Sequence, residues 1–112
     1  MYLTREANDK TLRQIATLAP RSTLAMSFML PVELTEPELR PAIERAMAGA
    51  RANGTPFISF YTPAEMLTLA RHAGFKDAQH VSAAVLAERY FAGRSDDLRP
   101  PNNSEELLVA AT

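Results

Sequence analysis

The stretch Thr23-Leu24-Ala25-Met26-Ser27-Phe28-Met29-Leu30 constrains this chain most, because it is nearly continuous in apolar character and bounded by turn signals at Arg21-Ser22 and Pro31. Such a segment is expected to be a strand covered on both faces in a parallel sheet. The rest of the chain must then supply pairing strands and covering helices. Two further segments qualify as strands. Phe75 to Val81 carries Lys76, Asp77, Gln79 and His80, a polarity suited to a sheet edge. Leu107-Leu108-Val109-Ala110-Ala111 is apolar and suited to insertion within a sheet. Polarity therefore predicts Thr23–Leu30 and Leu107–Ala111 as antiparallel neighbours, with Phe75–Val81 on the far side of the latter.

Helix signals fill the intervals. Thr4 is a candidate N-cap with Glu6 in the first turn, and Leu12, Ile15, Ala16 and Ala19 recur at helical spacing up to Pro20. Thr35-Glu36-Pro37-Glu38 matches a capping box ahead of the stripe Leu39, Ile43, Ala46, Met47 and Ala50, with Pro41 expected to bend the first turns and Asn53-Gly54 to end the helix. The clearest start is Thr62 with Pro63 at the first helical position and Glu65 closing the box, followed by Met66, Leu69, Ala70 and Ala73 and the stop at Gly74. Ser82 is expected to cap a last helix with Ala83, Leu86, Ala87 and Tyr90 on its inner face, ended by Gly93. Arg94 to Ser104 reads as a loop. The order helix, strand, helix, helix, weak strand, helix, strand implies an α/β sheet layered by helices. With three strands only, the apolar first strand is left with an open edge, which isolated domains normally avoid.

At 112 residues the chain makes one domain, and 12 basic against 13 acidic residues give no field to hold a polyphosphate, so nucleic acid is not an expected partner. Zero cysteines exclude disulfide scaffolds, thiolate metal sites and thiol catalysis, and fit a reducing cytoplasm. The apolar run from Leu24 to Val32, broken by Ser27 and Pro31, is far short of the roughly 20 residues that cross a bilayer, so no membrane span is expected. Met1 to Glu6 has no basic region followed by an apolar stretch, and so reads as no signal peptide but as a chain that begins within a larger fold.

Several short segments resemble one family in order along the chain. Met1-Tyr2-Leu3-Thr4-Arg5-Glu6-Ala7 is similar to the segment following the fourth strand in the leucine carboxyl methyltransferase-like family of class I S-adenosylmethionine-dependent methyltransferases, which includes bacterial O-methyltransferases. Gly54-Thr55-Pro56-Phe57, Phe60-Tyr61-Thr62-Pro63-Ala64-Glu65-Met66, Ala73-Gly74-Phe75, Tyr90-Phe91-Ala92-Gly93-Arg94 and Ser104-Glu105-Glu106-Leu107-Leu108 resemble its later segments. The resemblance implies the C-terminal half of a Rossmann-like sheet: the last three strands, the final one antiparallel, with flanking helices. It also implies S-adenosylmethionine as cofactor of the complete enzyme and a small-molecule or carboxylate methyl acceptor. In that family a glycine-rich turn and a ribose-binding acid in the N-terminal half grip the cofactor. Here Gly49, Gly54, Gly74 and Gly93 are too far apart to make a Gly-x-Gly turn, so this chain alone is not expected to bind the cofactor.

Ligands of open α/β sheets bind beyond the carboxyl ends of the strands. That selects Tyr2, Glu33, Phe57, Phe60 and Tyr61 as candidates for an acceptor pocket, Glu33 being the only carboxylate directly after the main strand. The alternative is that the aromatic residues pack helices on the sheet and Glu33 is solvated. No catalytic residue is assigned. His72 and His80 have no carboxylate spacing that suggests a metal site and are expected to have surface or structural roles. No serine lies in a nucleophile elbow, and the arginines are dispersed among acids as solvated faces. Two functions follow: a methyltransferase portion that shapes the acceptor side and is inactive alone, or a non-catalytic remnant or interaction module whose exposed sheet edge pairs with another chain or with its own copy.

Overall fold

Thr4 opens the first helix, α1 (Arg5–Ala16), as expected, its hydroxyl accepting the Ala7 N–H at 3.1 Å. The computed structural model describes residues 1–96, 98–100 and 104–112; the remaining positions of the loop expected over Arg94–Ser104 lie outside the described residues. The first helix ends at Ala16 with Thr17 as its C-cap, so Ala19 falls beyond it and is exposed. The buried stripe instead extends backward from Leu12 to Asn8.

The strand β1 (Thr23–Met29) corrects one expectation. Its side chains alternate, with Thr23, Ala25 and Ser27 exposed and Leu24, Met26 and Phe28 turned to the core, so only one face is well covered over most of its length. The sheet is antiparallel rather than parallel at this strand. The period-2 alternation of small and large residues explains the difference, since it marks a half-buried strand.

After a 3₁₀ turn at Val32–Leu34 comes α2 (Arg40–Ala52), which does not use the Thr35–Glu38 box. Thr35 is instead spent on the turn, where its N–H bonds the Val32 carbonyl at 3.1 Å and its hydroxyl is buried without a partner. Leu39 holds the N-cap position with no side-chain bond. Pro41 lies in the first turn, where its missing N–H costs nothing, and so terminates no hydrogen-bonding ladder. No residue of α2 is fully buried.

Helix α3 (Pro63–Ala73) forms as its signals require: Thr62 accepts from Glu65 N–H at 3.2 Å, Glu65 accepts from Thr62 N–H at 2.7 Å, and Gly74 caps the end at φ 111°. Met66, Ala70 and Ala73 are buried, and Leu69 is half-buried. Phe75 is buried ahead of β2 (Asp77–Val81), which is a polar edge strand. Ser82 caps α4 (Ala83–Leu86), which widens into a π-helical turn over Ala87–Phe91. The wider turn rotates the inner face, so Phe91 is half-buried while Tyr90, expected inside, is exposed.

The last strand, β3 (Glu105–Ala111), runs between the others in the order β1-β3-β2, antiparallel to both. Met26 and His80 both face Leu108, and Leu24 and Ala78 both face Ala110. Leu12, Met66, Ala70 and Phe75 close the core over this face with Phe28 and Leu108. The chain is thus α/β, with a three-stranded antiparallel sheet and flanking helices. On the outer side of β1, only Met29 finds a backbone partner among the described residues, its carbonyl accepting the Tyr61 N–H at 2.9 Å. Leu30 N–H turns the other way, to the Ser104 carbonyl, so strand alternation aims the backbone groups of Thr23, Ala25 and Ser27 at the open edge. Among the described residues, no helix is long and apolar enough to cross a membrane.

Candidate functional site at the carboxyl end of the first strand

Pro31 cannot continue the ladder, and the chain leaves β1 into the 3₁₀ turn. Arg40 fixes that turn from the start of α2, donating from Nη2 to the Glu33 carbonyl at 2.9 Å and from Nε to the Thr35 carbonyl at 3.1 Å. Beside it Pro31, Val32, Glu33, Met47 and Phe60 line an open groove of about 210 Å³, none of them fully buried and Glu33 exposed to solvent. Four of the five lining residues are apolar, and the fifth is an acid. Among the described residues, the Glu33 carboxylate makes no ion pair or hydrogen bond.

The five residues singled out from the sequence separate into three places. Glu33 and Phe60 share the groove. Tyr2 and Phe57 pack edge to face, with centroids 5.3 Å apart, outside its lining. Tyr61 is buried, its hydroxyl accepting from Asn8 Nδ2 at 3.0 Å while the Arg5 guanidinium lies 4.5 Å from its ring centroid. Its contacts are those of an anchor joining α1 to the end of β1.

That anchor belongs to a polar cluster that the sequence reading missed. Asn8 Nδ2 also reaches Ser59 Oγ at 3.2 Å, and Ser59 donates to the Leu3 carbonyl at 2.7 Å. The signal was available, since Asn8 stands one turn before Leu12 on the same helix face. A larger cavity of about 420 Å³ lies between α1 and α3, lined by Arg5, Tyr61, Leu69 and His72 among others. Its charges are already engaged with each other: Arg5 donates to Glu65 at 3.1 Å and to the Phe60 carbonyl. The Thr62 N–H, and then Arg5, hold the Glu65 carboxyl below its ordinary range. Size alone therefore does not make it the better site.

A second omission is the pair His80–Glu106. His80 Nε2 bonds the Glu106 carboxyl, which is 3% exposed, and the imidazole stands 6.1 Å from the Phe28 ring. Glu106 shares the inner face with Leu108 and Ala110 by simple alternation, but a strand begun at Leu107 leaves it out of view. Among the described residues, no group of three or more His, Asp or Glu could hold a metal ion. No family model matches the chain, and no curated protein or solved structure matches it.

Proposed function

We propose that this chain is the C-terminal, acceptor-side portion of a Rossmann-like S-adenosylmethionine-dependent O- or carboxyl methyltransferase, acting in the cytoplasm on a small-molecule or carboxylate acceptor and inactive without the cofactor-binding half. The observation that carries the reading is the strand order β1-β3-β2, with a reversed last strand in the middle and the outer edge of β1 open. An edge rich in Leu, Met and Phe is the place for a further strand. The six resembling segments support the same assignment from the sequence.

The cofactor would supply an electrophilic methyl group on sulfur. This chain's residues would then do the positioning: Phe60, Val32 and Met47 would hold the apolar part of the acceptor, and Glu33 would face the reacting group. No Gly-x-Gly turn is present to receive the cofactor. Calorimetric titration with S-adenosylmethionine should therefore show no saturable binding to the chain in the low micromolar range, about −8 kcal/mol. The same chain joined to a cofactor-binding N-terminal half should bind. An upstream reading frame without a glycine-rich turn, or clean one-to-one binding by the short chain, would count against this reading. The second reading is an interaction module that pairs through the outward backbone of Thr23, Ala25 and Ser27; it is favoured by the same open edge.

A further inference from the structure

We infer that the open edge of β1 pairs antiparallel with β1 of a second copy of this chain, in the register that sets Ala25 opposite Ala25 of that copy, an inference that rests on the interaction-module reading and names its partner. The sheet has two edges, and they differ in what they invite. The β2 edge carries exposed Asp77 and Gln79 just after exposed Lys76, the kind of polar and charged run that discourages strand addition. The β1 edge, Thr23–Met29, has neither a charged residue nor a proline to blunt it.

The register follows from where that edge stops. At its carboxyl end the Met29 carbonyl is taken by the Tyr61 N–H. At its other end Arg21 has a left-handed backbone, φ 68°, and its N–H turns to the Thr112 carbonyl, so the extended chain does not reach back past Ser22. The outward backbone groups left are those of Thr23, Ala25 and Ser27, with Ala25 in the middle. A two-fold axis at Ala25 sets Thr23 of each copy opposite Ser27 of the other and satisfies every outward N–H and C=O of these residues. Sliding one strand by two residues sets Thr23 opposite Met29, whose carbonyl is occupied, or Ser27 opposite Arg21, which is not extended.

The side chains agree with that register on both faces. On the outer face it brings the hydroxyls of Thr23 and Ser27 together and sets two alanine methyls side by side. On the inner face it sets Leu24 opposite Met26 of the other copy, both half-buried against the core and so with apolar surface left to cover. The two three-stranded sheets become one continuous sheet with β1 at its centre, and the polar β2 strands form both of its edges. The area is sufficient. The chain exposes 7151 Å², about 1,000 Å² more than a compact monomer of its mass, whereas each partner of a standard interface buries roughly 800 Å².

The chain has no cysteine, so single introduced thiols read the register directly. Thr23, Ala25 and Ser27 are all exposed, which makes Thr23→Cys, Ala25→Cys and Ser27→Cys three equivalent surface changes. Residues paired across the axis have Cα atoms about 5.5 Å apart, within the roughly 4.4–6.8 Å that a disulfide spans. Thr23 and its own copy lie about 13 Å apart along the strands, and so do the two copies of Ser27. Under mild oxidation Ala25→Cys should therefore form covalent dimer at least about tenfold faster than Thr23→Cys or Ser27→Cys alone, while an equimolar mixture of the latter two should crosslink with each other at close to the Ala25→Cys rate. Equal rates for the three variants, a mixture no faster than its components, or an unaltered chain that light scattering shows to be monomeric at high concentration would overturn the inference. Failure of the interaction-module reading looks different. If Ala25→Cys crosslinks as expected in this chain, but the chain joined to a cofactor-binding N-terminal half binds S-adenosylmethionine and no longer crosslinks, the register stands and the module reading falls; dimers crosslinked in another register remove the inference and leave that reading in place.

Discussion

His80 and Glu106 meet on a diagonal of the sheet, since Leu108, two residues beyond Glu106 on β3, is the residue opposite His80 on β2. Glu106 is buried and His80 is its one hydrogen-bond partner among the described residues, so the pair ties the edge strand to the central strand from inside. Removing one partner should cost far more than removing both. His80→Ala should lower unfolding free energy by about 1–3 kcal/mol by leaving a buried carboxyl group unpaired, and a second change, Glu106→Leu, should recover much of that loss. Urea denaturation of the two variants measures this, and a double variant weaker than the single one would show that the carboxyl has another role. Glu65 gives a residue-scale pH prediction. Its carboxyl is held below the ordinary range by the Thr62 N–H and then by Arg5, so its folded pKa is the lower one. Its contribution to stability is therefore complete above the ordinary carboxylate range and is lost as pH falls through and below it. The stability difference between the unaltered chain and Glu65→Gln should shrink steadily on acidification.

Two Thr-x-x-Glu sequences stand before helices, and only one forms a box. At Thr62 the following proline sits at the first helical position and nothing competes for the threonine. At Thr35 the preceding Pro31 starts a 3₁₀ turn that consumes Thr35, and Pro37 and Pro41 move the helix start to Arg40. Local spacing cannot report that competition, because it depends on where β1 ends and on Arg40 reaching back to two carbonyls. The two threonines should respond in opposite directions. Thr62→Ala should destabilise by about 0.5–2 kcal/mol through loss of the cap. Thr35→Val keeps the shape and removes a buried hydroxyl without a partner, and should be neutral or stabilising by about 1 kcal/mol. Thermal unfolding of both decides it, and equal losses would mean that the Thr35 hydroxyl is satisfied in solution. Strand order was legible for a related reason: one segment is polar and two are not, and only the middle position has two neighbours to satisfy. Which candidate residues would share a groove was not legible. Phe60 and Tyr61 are adjacent in sequence, yet one lines the groove and the other is buried against Asn8 because the backbone between them turns to bond Met29.

The whole molecule is a slab of about 40 × 39 × 21 Å with a Cα radius of gyration of 15.3 Å, against about 13 Å for a compact chain of this length. Its accessible surface, 7151 Å², exceeds the roughly 6,100 Å² expected of a compact monomer of 12.3 kDa. The excess has a location. The outer edge of β1 is open, the half-buried Leu107, Val109 and Ala111 lie on the outer face of β3 and α2 has no fully buried residue. A few hundred Å² of apolar surface left uncovered, at roughly 25 cal/mol per Å², forgoes several kcal/mol, comparable with the stability of a small domain. The lone chain should therefore recover part of that area by pairing with its own copy through β1, and its apparent mass should rise above 12.3 kDa as concentration is raised in size-exclusion with light scattering. Ala25→Lys places a charge at an exposed position of the edge strand, where it should change monomer stability by at most about 0.5 kcal/mol while opposing edge-to-edge pairing. That variant should stay monomeric at concentrations where the unaltered chain associates. If instead the unaltered chain is a monomer at high concentration, with a sharp cooperative transition in the near-UV circular dichroism of its tyrosines, the β1 edge needs no partner and the argument for a missing half falls with it.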